Sequence, residues 1–402
     1  MTVAESLARW ADGYVPDSRD LALAQRSLLD TVAVTLAARG HPLREMTAGL
    51  PDAARWAALG HVLDFDDLHT GSTTHISAVV VPAVLAAGGG TRAYLAGAGV
   101  MARLGMMLGW PHYAAGWHAT CTAGAPAAAA AAGAALGLPP GRLAAAMALA
   151  VPAAGGVQAA FGTHGKSLQV GFAAGAGVRA ARLAAAGATA DPRALDDWLA
   201  LVGGTAGPVA PGGPAVPGGL AVKLFPCCYA MQRPIAALRA IREQIGAEEV
   251  VRVRVATPES ATRPLIHDQP RTGLEGKFSM PYAVAAALLD GYPGLASFTD
   301  TAVSRPAAQR IMSVVKTDYA PGGSGLLDGE VAIEVELVSG RVVRTRLAQP
   351  PGSPLRPPGP GELDGKLAAC GQDVPGLLDG LTWEAARALL RRMVPPGEEV
   401  TA

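Results

Sequence analysis

A chain of 402 residues, half of them hydrophobic, carries enough apolar surface for a full core and by length for about two or three domains, which excludes disordered and fibrous classes. Lysine plus arginine (33) equals aspartate plus glutamate (33), so no global field recruits nucleic acid or an anionic membrane, and any anion must be met by a local cluster. Glycine (50) and proline (32) make up about a fifth of the chain, below the ~25–30% of low-complexity sequence, and four cysteines (Cys121, Cys227, Cys228, Cys370) form no disulfide framework, which points to a cytoplasmic protein.

The opening MTVAESLARWADGY carries charges where a signal peptide needs an apolar run, so no targeting segment is expected. Residues 18–39 predict an amphipathic helix with Ser18 as its cap, Leu21, Leu28, Leu29, Val32 and Leu36 on one face, and Gly40 and Pro42 past its end. From about 76 to 200 the chain is long Ala, Leu, Val and Gly segments with few charges. These predict helices apolar all round, packed closely on one another through small residues. The alanine-rich run 123–138 contains Gly124, Pro126 and Gly133 and lacks the Leu/Ile/Phe content of a membrane span.

Residues 203–219, GGTAGPVAPGGPAVPGG, suit neither a helix nor a central strand and read as a linker, and 350–361 is a second such run. Between the two, Val251, Val253 and Val255 alternate with Arg252 and Arg254. Val331, Ile333, Val335 and Leu337 alternate with Glu334 and Glu336 before Ser339-Gly340 and a return to Leu347, so half-buried antiparallel strands are expected. Residues 382–393 return to helix with Thr382 as cap. The expected fold class is mainly α with an inserted α+β domain. Residues 1–217 and 352–402 form a discontinuous helical domain, 218–351 a smaller lid, and the cleft between them is the default ligand site.

Six of the eight histidines fall between 61 and 164 (His61, His69, His75, His112, His118, His164). The densest polar island is Asp64-Phe65-Asp66-Asp67-Leu68-His69, followed by Thr73, Thr74 and His75, and it adjoins an apolar helical run. Such groups beside a core must be paired, hydrogen-bonded or used, although a capped, solvated loop is the plain alternative. Asp64, Asp66, His69, His75 and His118 could supply metal ligands, but no HExxH or CxxC spacing sets their geometry and no metal is expected. Lys166 and Lys223 are isolated cations in apolar surroundings. Beside the histidine and aspartate cluster they suit a substrate bearing several carboxylates. Cys227 and Cys228 are expected to pack as small hydrophobes.

Six blocks, in order, resemble the MmgE/PrpD family, which contains 2-methylcitrate dehydratase, cis-aconitate decarboxylase and iminodisuccinate epimerase. They are LDFDDLHTGSTTHISAVVVPA (63–83), GWHATCTAGAPAAAAAAGAALGL (116–138), GKSLQVGFAAGAGVRAARLAAAG (165–187), KLFPCCYAMQRPIAAL (223–238), KFSMPYAVAAALLDG (277–291) and the hairpin with PPGSP (330–354). The resemblance implies the same helical domain with an α+β lid, a homodimer without a cofactor, and active-site positions at Asp64, His75, His118, Lys166, Lys223 and Tyr282. The chain departs from the family pattern at Leu68, Gln169 and Gln232, and Leu68 suggests a less polar pocket than a tricarboxylate enzyme needs.

The implied chemistry is that Lys166 and Lys223 hold substrate carboxylates while His75 or His118 moves a proton. Asp64 orients a histidine, Tyr282 donates a proton, and Leu68 and Gln232 line the substrate side. The expected activity is a cytoplasmic lyase that dehydrates a 2-methylcitrate-like β-hydroxy polycarboxylate, or an alkyl-substituted acid. A cis-aconitate-type decarboxylase, an epimerase and a carboxylate-binding paralogue are the alternatives. Neither nucleic acid nor membrane is an expected partner.

Overall fold

The computed structural model describes residues 1–397, which are mostly helical with one four-stranded sheet in the C-terminal half. The helical core has the Ala119–Ala135 helix at its centre, with every residue from Ala119 to Gly133 buried. A helix with no solvent face needs neighbours on all sides, and small side chains let their axes come close. An ideal Cβ on Gly177 would lie 2.4 Å from Ala128 Cβ and 2.6 Å from Ala125 O, and one on Gly97 would lie 2.5 Å from Ala131 Cβ. Glycine at these crossings therefore sets helix spacing. Gly177→Ala should lower the unfolding free energy by about 1–3 kcal/mol, read as a lowered denaturation midpoint. An unchanged midpoint would show that the crossing yields freely.

The expected N-terminal helix spans Ser18–Ala37, but its cap is Asp17, whose carboxylate accepts from Arg19 N and Asp20 N. Leu21 lies outside the buried stripe and is 48% exposed. With its short extension to Gly40 this is the one described helix long and apolar enough to cross a membrane, and it packs against the other core helices. Thr382 caps Trp383–Met393 as expected, and that helix joins the same core.

A second core is built on the sheet, whose order is β2-β1-β3-β4: β1 Val250–Pro258, β2 Val315–Ala320, β3 Val331–Leu337 and β4 Val342–Leu347. Val331, Ile333, Val335 and Leu337 are buried against the Tyr229–Ile245 and Met280–Asp290 helices. On the other face Arg252 pairs with Glu336 at 2.5 Å and Arg344 with Glu334 at 2.7 Å. The sheet is mixed rather than antiparallel throughout, because β1 pairs with β2 in parallel. Val251 is not on the buried face, since a register shift between Val250 and Arg252 turns it outward.

The first Gly/Pro-rich run has no regular structure and the second enters a helix at Pro360–Ala369, yet neither is a free linker. Ala215 N donates to Asp20 Oδ1, Arg103 Nη1 donates to Ala215 O, and His69 Nε2 lies 2.6 Å from Pro217 O. Leu68 and Ala221 exchange both backbone hydrogen bonds, and Val222 N donates to Gly352 O in the second run. These pairings carry the chain from the helical core into the sheet-bearing part with Lys223 held at the junction.

Candidate active site

Three of the polar side chains the sequence singles out, and a fourth that it does not, sit where helices begin. His75 immediately precedes Ile76–Ala87, His118 immediately precedes Ala119–Ala135, and Lys166 lies in the first turn of His164–Ala185. Tyr229 opens Tyr229–Ile245, directly after Cys228. Helix N-termini present unpaired N–H groups and a positive dipole end, which favour a bound anion and disfavour imidazolium. All four side chains face one narrow crevice, whose walls also include Asp64, Leu68, Thr73, Tyr113, Thr120, Phe161, Cys228, Phe278 and Leu326. The His75 N–H donates to Thr120 Oγ1, tying the two histidine loops together.

Beneath the crevice lies a buried ion network. Lys223 Nζ donates to Asp64 Oδ1 (2.8 Å) and to its backbone oxygen (2.9 Å), and Lys166 Nζ donates to the same Oδ1 (3.1 Å) and to His61 Nε2 (2.5 Å). These bonds hold Asp64 at φ 52°, in the left-handed region that a non-glycine residue seldom occupies. Burial alone would raise the Asp64 pKa, but Lys166 and Lys223 hold it far below the ordinary carboxylate range. Lys223 is raised: burial works against its charge, and Asp64 and Asp66 overcome that.

The structure reassigns one role. Asp66, not Asp64, supports the imidazoles: its Oδ2 lies 2.8 Å from Nδ1 of both His61 and His75. Burial depresses the His75 pKa to about 3, against the opposing pull of Asp66, and burial followed by the Lys166 charge depresses His118. His118 Nδ1 has two neighbours: Gln169 Oε1 at 3.3 Å, an amide oxygen that also accepts from Val157 N (3.0 Å), and the Cys121 thiol at 3.1 Å. Nδ1 is thus engaged inside the protein.

Asp64, Leu68, His75, His118 and Lys166 thus line the crevice, with Lys223 one layer behind on Asp64. Tyr282 is not brought in. Its hydroxyl donates to Ser297 O within the second core, where it packs against Phe298. Gln232 is not brought in either. It accepts from Leu224 N and Phe225 N and donates to Phe225 O, bracing the turn after Lys223. Sequence reasoning missed His61, Asp66 as the imidazole partner, Tyr229, Leu326 and the buried Lys277. Lys277 Nζ donates to Leu63 O and Pro226 O, and burial lowers its pKa to about 8. An isolated lysine opening the apolar block 277–291 was a signal of the same kind as Lys166.

Among the described residues His61, Asp64, Asp66 and His75 each place a potential ligand atom within 4.8 Å of the others. Asp64 Oδ2, Asp66 Oδ1 and His75 Nδ1 have no hydrogen-bond partner among the described residues, but Asp64 Oδ1 and His61 Nε2 are held by the Lys166 and Lys223 ammonium groups, whose charges oppose a divalent cation at this spot. Chelator-treated protein is accordingly expected to keep its turnover. Activity lost to chelation and restored by a divalent ion would assign these carboxylates to a metal instead.

A buried carboxylate flanked by lysines, two imidazoles and converging helix starts can bind an organic acid and move a proton at a carbon beside its carboxylate. Comparison with known families places this arrangement. The MmgE/PrpD N-terminal domain model matches residues 48–202 and the MmgE/PrpD C-terminal domain model matches 225–379. The chain belongs to the MmgE/PrpD family. Among characterised family members, it is 26% identical to the cis-aconitate decarboxylase of Aspergillus terreus over 371 residues, covering 81% of this chain and 75% of that protein. It is 28% identical to the human cis-aconitate decarboxylase over 222 residues, covering 51% of this chain and 45% of that one. Both MmgE/PrpD domain matches contribute to the crevice: His75, His118 and Lys166 fall in the first, and Tyr229 and Leu326 in the second.

Proposed function

We propose that this MmgE/PrpD protein is a lyase that removes a proton from the carbon beside a carboxylate of a small hydroxy acid and expels the β-hydroxyl as water. The observation that carries this reading is the pairing of the His118 imidazole, whose Nδ1 is engaged by Gln169 and Cys121, with the Lys166 ammonium at the same crevice. Charge that develops on the substrate carboxylate as the proton leaves is met by a fixed cation in a dry site, where it is worth most. His75, backed by Asp66, is the second proton carrier. The Tyr229 hydroxyl, buried at the crevice with no partner among the described residues, takes the place expected of Tyr282 as donor to the leaving oxygen. The hydroxyl takes the Tyr229 proton and departs as water, the substrate proton passes to a histidine, and its return to the tyrosinate restores the site, with no outside reductant or oxidant needed.

The names of the relatives support a second reading, in which carbon dioxide leaves in place of water and the same lysine receives the electrons. One experiment separates the two. Purified protein is incubated with 2-methylcitrate, citrate and cis-aconitate while alkene absorbance, released carbon dioxide and solvent deuterium exchange are followed. Alkene with stoichiometric water loss supports dehydration, and carbon dioxide release assigns decarboxylation. No turnover and no exchange with these acids or the hydroxy acids below would overturn the lyase reading. In the cell we place the protein in the cytoplasm as a homodimer.

A further inference from the structure

The crevice has two unlike sides. One is the ion network already described. The other is hydrocarbon: Leu68, Tyr113, Ala119, Tyr229 and Leu326 form a separate buried cluster, with Leu326 4% exposed and Leu68 2% exposed. Leu326 comes from the glycine-rich loop 321–329, which is clamped rather than loose. Arg233, itself 3% exposed, donates from Nη2 to Leu326 O and from Nη1 to the carbonyls of Asp328 and Gly329, and Asp328 accepts from Gly325 N and Ser260 Oγ. An arginine buried to hold one loop keeps a leucine pressed on the mouth of the site.

Charge counting points the same way. At and directly behind the crevice two buried ammonium groups (Lys166, Lys223) meet two buried carboxylates (Asp64, Asp66), so with neutral imidazoles its walls carry no surplus charge, and Lys277 is spent on two backbone carbonyls outside the lining. Asp30 and Lys366 neutralise each other at 2.5 Å, and no arginine lines the crevice among the described residues. A buried anion needs a partner for each charge, so three carboxylates would go unmatched here, whereas a single one can share Lys166 and the helix starts.

Resting on the lyase reading, we propose that the substrate carries a single carboxylate at its reacting end and a hydrocarbon substituent at the other, selected by Leu326 and Leu68. The acid's carboxylate lies toward Lys166 and the helix starts, its β-carbon near Tyr229, and its alkyl or aryl group against the leucines.

The test compares two acids of equal length, 3-hydroxyhexanoate and 3-hydroxyadipate, which differ only by a terminal carboxylate. Turnover, solvent deuterium exchange and calorimetric binding are read on the wild-type protein, on Leu326→Lys and on Leu68→Thr. The wild-type protein is expected to favour the monoacid by about tenfold or more in binding and in kcat/KM, and each variant should shrink or reverse that ratio. Preference of the wild-type protein for adipate-type or tricarboxylic acids overturns this inference and leaves the lyase reading standing. Tight monoacid binding without exchange or product does the reverse. Absence of binding by either acid overturns the inference, and absence of all exchange with these and the tricarboxylic acids overturns both.

Discussion

Lys166→Met should cut turnover by at least about a hundredfold while the protein stays folded, because among the described residues this is the one lysine in the crevice wall and a fixed charge aimed at a developing anion is worth about that much. Methionine keeps much of the buried volume between Phe161 and Phe278, whose rings lie 5.5 and 5.3 Å from Nζ. Asp64 retains Lys223 at 2.8 Å, so its carboxylate is not left alone in the core. The structural cost is the His61 Nε2 acceptor, left without its donor. Circular dichroism and a thermal melt check the fold and substrate turnover checks the role. Wild-type-like rates in a folded Lys166→Met protein would remove the lysine from the chemistry.

The second large effect is on stability in mild acid. His61, His75 and His118 are buried and lowered below their ordinary 6.5 chiefly by desolvation, and His41, His69 and His112 are lowered for the same first reason. In the native protein these imidazoles stay neutral, whereas in the unfolded chain they bind protons once the pH drops below 6.5. The unfolded state then holds more protons, so stability is fully present above 6.5 and falls as the pH goes down toward about 3, where His75 itself titrates in the fold. Each such group contributes a slope of up to about 1.4 kcal/mol per pH unit. Asp30 and Asp67 work in the opposite sense, being raised by burial, Asp67 to about 7. Six imidazoles against two carboxyls leave a net loss on acidification. Chemical denaturation at pH 7.5, 6.5, 5.5 and 4.5 should give a steadily falling unfolding free energy, and a flat profile across that window would mean that the histidines are solvated.

What could be read from the sequence follows one rule. Asp64, His75 and His118 stood out in polar islands set against apolar helical runs, Lys166 and Lys223 as isolated cations in apolar surroundings, and the fold brings those five together at or directly behind one crevice. Tyr282 and Gln232 rested on family likeness alone, with no polar island of their own, and both are spent on backbone carbonyls and amides instead. His61 was hidden because it ends an ordinary-looking helix, Asp52–Val62, and its meaning depends on Lys166, 105 residues away. Leu326 was invisible for the opposite reason: a leucine in a glycine-rich run carries no local sign of what it covers. In the sheet, β3 was legible because all four alternating apolar residues point inward, whereas β2, VKTDYA, lies mostly exposed at an edge and has no alternation to read. The parallel β1–β2 pairing depends on the helices between those strands, which strand patterning cannot encode.

The position of the reactive groups at helix starts ties catalysis to the alanine and glycine interior. Lys166 and Gly177 share one helix, eleven residues or about 16 Å apart along its axis. A helix is stiff over that length, so a methyl group that levers the axes apart at the Gly177 crossing also displaces the ammonium at the far end. Misplacement of about 1 Å at a reacting centre can cost about a hundredfold in rate. Spacing and reactivity in this protein are therefore one inherited trait, and drift in its quiet interior is paid out at the crevice.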